Sequence, residues 1–128
     1  MQMLKDRLRG FIKERGWGAQ HTPQNLAKSI CIEAAELLEH FQWDDISKPE
    51  EEIEIAYELA DVIVYCITFA LIANLDIATI FTEKLEIASK KFPAELFLTS
   101  TDGRSDYRRI KKEYRQKNAA KKDVDGAA

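Results

Sequence analysis

Apolar residues return along this chain at spacings of three and four, and no stretch keeps the period of two that a half-buried strand needs. The pattern predicts an all-α protein. Leu4, Leu8, Phe11 and Ile12 form one stripe of a first helix over about Met3 to Arg15, ended by Gly16-Trp17-Gly18, with a loop continuing through His21. Thr22 and Pro23 suit the N-cap and first turn of a second helix, which runs to about Phe41 with Leu26, Ile30, Ala34, Leu37 and Phe41 inward. Ser47, followed three residues later by Glu50, matches a capping box that opens a third helix reaching Ala73. A fourth helix extends from an Asp76 cap to just before Pro93 and buries Ile80, Phe81, Leu85, Ile87, Ala88 and Phe92. Past Pro93 the pattern weakens. Asp102-Gly103 is a turn signal, Tyr107 to Lys117 reads as a short basic helix, and Lys121 to Ala128 is expected to fray. The fold expected is a four-helix bundle of antiparallel helices over residues 1–98, with a basic C-terminal tail over 99–128, partly helical or flexible.

The third helix is acidic in its first half and apolar on nearly every side in its second. A helix apolar all round needs neighbours all round. Four helices hardly supply them, so this half is expected to lie in an oligomer interface.

Polar residues break the apolar pattern along two lines. On the second helix, Asn25, Ser29, Glu33, Glu36 and His40 share a face; on the third, Glu54, Glu58, Asp61, Tyr65 and Thr68 do. Each line carries two carboxylates three residues apart, Glu33 with Glu36 and Glu58 with Asp61. The 21 intervening residues hold one helix end, a short connection and one helix start. Antiparallel packing can bring the two pairs face to face. Four ionised carboxylates then need protonation, solvent or a cation. Oxygen-only ligands point to Mg²⁺, with Mn²⁺ as a substitute, rather than zinc or copper, and such a metal suits a phosphorylated substrate. A di-iron bundle would need Glu-x-x-His pairs, which neither His21 nor His40 supplies. The plainer reading is that glutamates three apart form a solvated face; the apolar residues flanking both pairs weigh against it.

Composition narrows the setting. Hydrophobic residues at 45% and charged residues at 32% suit a folded helical domain rather than a disordered chain. The net charge of -3 offers no basic surplus for nucleic acid, so no nucleic-acid partner is expected. Cys31 and Cys66 sit in apolar runs and are expected to be buried free thiols, which suits a reducing compartment, and no CxxC pair suggests zinc. The N-terminus lacks a signal-peptide core, and the apolar run from Val62 to Ala73 is too short to span a bilayer. A cytoplasmic protein without a membrane partner is expected.

Several motifs in order now carry a resemblance. Glu14-Arg15-Gly16-Trp17, His21-Thr22-Pro23-Gln24-Asn25, Glu33-Ala34-Ala35-Glu36 through Trp43, Glu58-Leu59-Ala60-Asp61 through Tyr65, and Glu83-Lys84-Leu85 to Phe92-Pro93 resemble the all-α nucleoside triphosphate pyrophosphohydrolases, the MazG-like enzymes and their dCTP-hydrolysing relatives. The resemblance spans about Leu4 to Pro93. It implies hydrolysis of an NTP or dNTP to monophosphate and pyrophosphate, homodimers or homotetramers of helical bundles, intertwined or as dimers of dimers, and Glu33, Glu36, Glu58 and Asp61 as Mg²⁺ ligands and catalytic residues. The metal neutralises phosphate oxygens and eases proton loss from the attacking water. One glutamate can act as general base, with Glu36 the candidate. Trp17 and Trp43 are candidates to stack on a base, and His21, Asn25, Tyr65 and Lys84 to touch base, sugar or phosphate; each has a plainer role as plug, cap or solvated residue.

Two positions depart from the family pattern. Ala88 stands where an asparagine is common and Phe92 where a tyrosine is, which affects substrate contacts from the fourth helix and leaves the metal ligands untouched. The leading expectation is house-cleaning hydrolysis of dCTP-like or non-canonical dNTPs, with dUTP and phosphoribosyl-ATP as variants of the same chemistry. The rivals are a non-catalytic helical oligomer that binds a nucleotide or a partner helix, and a purely structural oligomerisation module.

Overall fold

A computed structural model describes residues 1–43 and 51–125, with side chains through 119. Every described element is helical. They are α1 (Gln2–Glu14), a 3-10 turn (Trp17–Ala19), α2 (Pro23–Glu39), α3 (Glu52–Ile72), α4 (Ile77–Lys91), α5 (Ala94–Thr99) and α6 (Gly103–Asp125). The capping box expected at Ser47 and Glu50 lies outside the described residues.

The helix ends follow from local chemistry. Gly16, at φ 65°, takes the left-handed conformation that closes α1, and its N–H donates to Lys13 O at 3.2 Å. Thr22 caps α2 by accepting from the Asn25 N–H at 3.2 Å, with Pro23 in the first turn. α3 ends in a Schellman motif. Asn74 has φ 52°, its N–H donates to Leu71 O at 3.3 Å, and the Leu75 N–H donates to Ala70 O at 2.8 Å. Asp76 then accepts from the Ala78 N–H at 3.1 Å at the start of α4.

Two compact units follow one another, Met1–Ala78 and Thr79–Ala128. In the first, α2 and α3 pack along one another and α1 makes a smaller contact with α3. Leu26 of α2 and Ile67, Thr68 and Ala70 of α3 are buried. The Thr68 hydroxyl is satisfied within its own helix, donating to Val64 O at 2.8 Å. Many large apolar side chains stay exposed, among them Ile32, Leu38, Ile53, Leu59 and Ile63. α3 is long and apolar enough to cross a membrane, a wider span than the run from Val62 that the sequence singles out. Glu58 and Asp61 fall within it, however, and a carboxylate in lipid costs at least ~2.5 kcal/mol. It packs along α2, and Ile67, Thr68 and Ala70 are the part of it that is buried within one chain.

In the second unit, α6 is longer than the short helix expected from Tyr107. The Asp102 side chain accepts from the Ser105 N–H at 3.1 Å, and Asp106 accepts from the Ser100 hydroxyl at 2.6 Å, so helix starts directly after the Asp102 turn. Arg109 then bridges Asp106 at 2.9 Å and Glu113 at 3.3 Å along the surface. The helix also continues through Lys121 to Asp125, where the sequence predicts fraying.

Candidate functional site

Glu33 and Glu36 lie in the second half of α2, and Glu58 in the first half of α3. One carboxylate oxygen from each can be chosen so that all three lie within 4.8 Å of one another. Late α2 meeting early α3 is the pairing expected of helices running in opposite directions. Glu33 and Glu58 are half-buried, and Glu36 is exposed. The carboxyl of Glu33 is held above the ordinary carboxylate range, first by partial burial, then by the negative charges of Glu36, Asp61 and Glu58. Asp61, one turn beyond Glu58, stands outside the 4.8 Å group yet close enough to act on Glu33.

This arrangement fits a hard divalent cation. Its donors are all oxygen, two helices fix them, and the mutual repulsion felt at Glu33 is what a cation would relieve. Glu33, Glu36 and Glu58 would hold it.

Asp61 is also where the cluster meets a groove of about 1000 Å³. α1 and the 3-10 turn form one wall and α3 the other, with Phe11, Trp17 and His21 facing Asp61, Tyr65 and Thr68. The Trp17 ring meets Phe11 edge-on at 5.7 Å and His21 at 6.2 Å. Arg15 stacks over the outer face of Phe11, 3.6 Å from the ring centre. His21 Nδ1 is shielded from solvent and has no hydrogen-bond partner among the described residues. A ligand in the groove is one source of the missing partner.

The structure thus gathers Glu33, Glu36 and Glu58 into a cluster, and Trp17, His21, Asp61 and Tyr65 along one groove. Three other candidates are not among these residues. The Asn25 side-chain amide donates to Gln20 O at 3.0 Å and so pins the turn before α2. Trp43 is 86% exposed in the bend past α2. Lys84 is exposed on α4, in the second unit. The sequence reading missed the part played by α1. Leu4, Leu8 and Phe11 look like ordinary core positions, but Leu4 and Phe11 remain exposed and line the groove. The glycines around Trp17 were the available signal, since they fold an aromatic back toward the preceding helix.

Comparison with known proteins gives concordant results. The profile of the MazG-like family matches residues 28–99. dCTP pyrophosphatase 1 from Homo sapiens is 31% identical over 98 residues, covering 71% of this chain and 58% of that protein. Its Rattus norvegicus counterpart is 29% identical over 93 residues, covering 67% and 55%. The chain therefore spans less than two thirds of the curated relatives it matches. A crystal structure of a pyrophosphatase from Archaeoglobus fulgidus is similar with a TM-score of 0.63 and 40% identity, covering 73% of this chain and 92% of that one.

Proposed function

The chain belongs to the MazG-like family, and from that premise we propose that it is a Mg²⁺-dependent nucleotide pyrophosphohydrolase, converting a (d)NTP and water to the (d)NMP and pyrophosphate. The observation that carries the reading is the meeting of three carboxylates from two helices within 4.8 Å, beside a groove of nucleotide size. The relatives named dCTP pyrophosphatase support a dCTP-like substrate; hydrolysis of non-canonical dNTPs, as house-cleaning in the cytoplasm, is part of the same proposal.

Mg²⁺, or Mn²⁺ in its place, supplies neutralisation of the phosphate oxygens when bound. The remaining work falls to side chains. Glu33, Glu36 and Glu58, with Asp61 beside them as the fourth ligand of this reading, are held by their helices with uncompensated charge, so the site is preorganised for a cation. Glu36, the exposed member of the cluster, takes the proton of the water that attacks the α-phosphorus. The bond between that phosphorus and the bridging oxygen to the β-phosphorus breaks, and pyrophosphate leaves. Trp17 offers its face to the base, His21 Nδ1 a polar contact, and Tyr65 a hydroxyl for sugar or phosphate. Asn25 acts indirectly by holding the turn that carries His21. Trp43 and Lys84 enter as substrate contacts of the assembled enzyme on the resemblance alone.

The assembled enzyme in this reading is a homodimer or homotetramer whose bundles cover the apolar residues that one chain leaves exposed. The catalytic domain is 1–98, with 99–128 appended. A panel of dNTPs incubated with Mg²⁺, with the products identified, tests the activity. Monophosphate plus pyrophosphate is expected. Diphosphate plus phosphate refutes the reaction, and tight nucleotide binding without turnover would favour the non-catalytic oligomer.

A further inference from the structure

The net charge of the whole chain conceals a segregation. Residues 1–78 carry 7 Lys and Arg against 14 Asp and Glu, whereas residues 79–128 carry 12 against 8. The positive charge is concentrated on α6. Residues 103–119 hold seven basic and two acidic side chains.

At 100° per residue, the faces of α6 separate cleanly. Tyr107, Ile110 and Tyr114 share the apolar face, which is partly covered within the unit. Tyr107 stacks on Phe92 at 5.0 Å and 15°, and Tyr114 receives the Lys91 ammonium 4.2 Å above its ring. Asp106, Arg109 and Glu113 form a second face that neutralises itself through the two Arg109 ion pairs. Arg104, Arg108, Lys111, Lys112 and Arg115 fill the third, within about a third of the circumference and over about 16 Å of helix. Lys111 leans on the Tyr107 ring. The other four have no hydrogen-bond or ion-pair partner among the described residues and are exposed.

We propose that this basic stripe of α6 binds the phosphate backbone of a nucleic acid. A lipid surface fits poorly, because the face that would enter it is narrow, carries two tyrosine hydroxyls, and is partly covered by Phe92 and Lys91. A protein partner fits poorly too. Protein interfaces are built around apolar anchors and depleted of lysine, and the stripe contains only cations. A phosphate backbone needs charge and guanidinium forks and nothing apolar, which is what Arg104, Arg108 and Arg115 present. Duplex DNA sets about nine charges along the ~16 Å of the stripe. The acidic first unit opposes the same ligand, so the complex is micromolar at low salt and falls off steeply as salt rises. The expectation of no nucleic-acid partner rested on the summed charge, which the segregation makes a poor guide. The proposal does not depend on the hydrolase reading, because no stripe residue belongs to that machinery.

Binding of the full-length protein to a fluorescent 25-base-pair duplex and to a single-stranded RNA, measured by anisotropy between 50 and 200 mM salt, tests it. Arg108→Glu with Arg115→Glu should weaken binding about tenfold or more and flatten the salt slope by about two. Lys90→Glu with Lys117→Glu changes the net charge equally but lies off the stripe, and should change both much less. Should reversal disturb α6, Arg108→Gln with Arg115→Gln keeps the helix and should still weaken binding. Nucleotide hydrolysis by the stripe variants should equal wild type. No binding at 50 mM salt, equal weakening by both pairs of reversals, or capture by anionic vesicles alone would overturn the proposal. The duplex and RNA arms identify which nucleic acid is preferred.

Discussion

Glu33→Gln makes the acidic cluster show its sign. In the metal-free protein, Glu33 faces Glu36 and Glu58 with their oxygens within 4.8 Å. At the dielectric of water each such pair repels by about 0.9 kcal/mol, and physiological salt roughly halves that, so the two pairs together cost about 1 kcal/mol. Neutralising Glu33 removes this cost while keeping the side chain's shape. The metal-free variant should therefore melt about 3–5 °C above wild type. With Mg²⁺ the order changes. At one hundred times Kd, wild type gains about 2.7 kcal/mol, whereas a variant binding tenfold more weakly gains about 1.4, which brings the two roughly level. The assay is differential scanning fluorimetry with chelator and across a Mg²⁺ series, at one protein concentration because an oligomer's melting depends on it. Pyrophosphate release should fall on the order of a hundredfold or more in the variant. A variant less stable than wild type in chelator, with an unchanged Mg²⁺ response, would show that the three glutamates form an ordinary solvated face.

Leu26→Ala removes the most deeply buried large side chain, 1% exposed, and should cost about 2–5 kcal/mol; a lower urea midpoint at unchanged slope checks it. Trp17→Ala should raise KM about fivefold to a hundredfold with kcat within about twofold, since base stacking contributes ~1–3 kcal/mol and the ring lines the groove rather than the carboxylate cluster; a loss confined to kcat would refute stacking. Asp102 and Asp106 sit below the ordinary carboxylate range, chiefly through hydrogen bonds from Ser105 and from Ser100. The stabilisation they give the start of α6 is therefore full above the ordinary carboxylate pKa and is lost as pH falls through the depressed values. Carboxyl NMR titration should find both low, and Ser100→Ala should raise Asp106.

The helices were legible because each carries its own punctuation. Thr22-Pro23, Gly16 and Asp76 act within one turn of chain, so their caps can be read without any neighbour. The left-handed Asn74 was harder. Asparagine is tolerated there rather than required, and the Schellman bonds to Ala70 and Leu71 appear only once the turn has formed. The length of α6 was underestimated because Asp102-Gly103 reads as a break, although the aspartate is the cap of the helix that follows.

The candidate site divides along the same line. Spacing by itself puts Glu33 with Glu36 and Glu58 with Asp61 on single helix faces, since a helix fixes the relation between residues three apart. Which carboxylates converge depends on how α2 and α3 pack, and that packing draws Glu58 toward Glu33 and Glu36 while setting Asp61 at the edge of the groove. Lone residues such as Trp17 and Trp43 have no periodicity to place them, and the periodicity that puts Asn25 on the polar line of α2 does not say what its amide touches. Trp17 and Asn25 were sorted by what the turn before α2 does with them, one lining the groove and the other holding the backbone. The sequence by itself determined α1 to α4, the helix ends at Gly16, Thr22 and Asp76, and the acidic pairs, because these are set within a few residues of chain; α5 carries no such signal. The tertiary structure alone decided which pairs meet and that α1 lends a wall to the groove, because these depend on contacts between residues far apart in sequence.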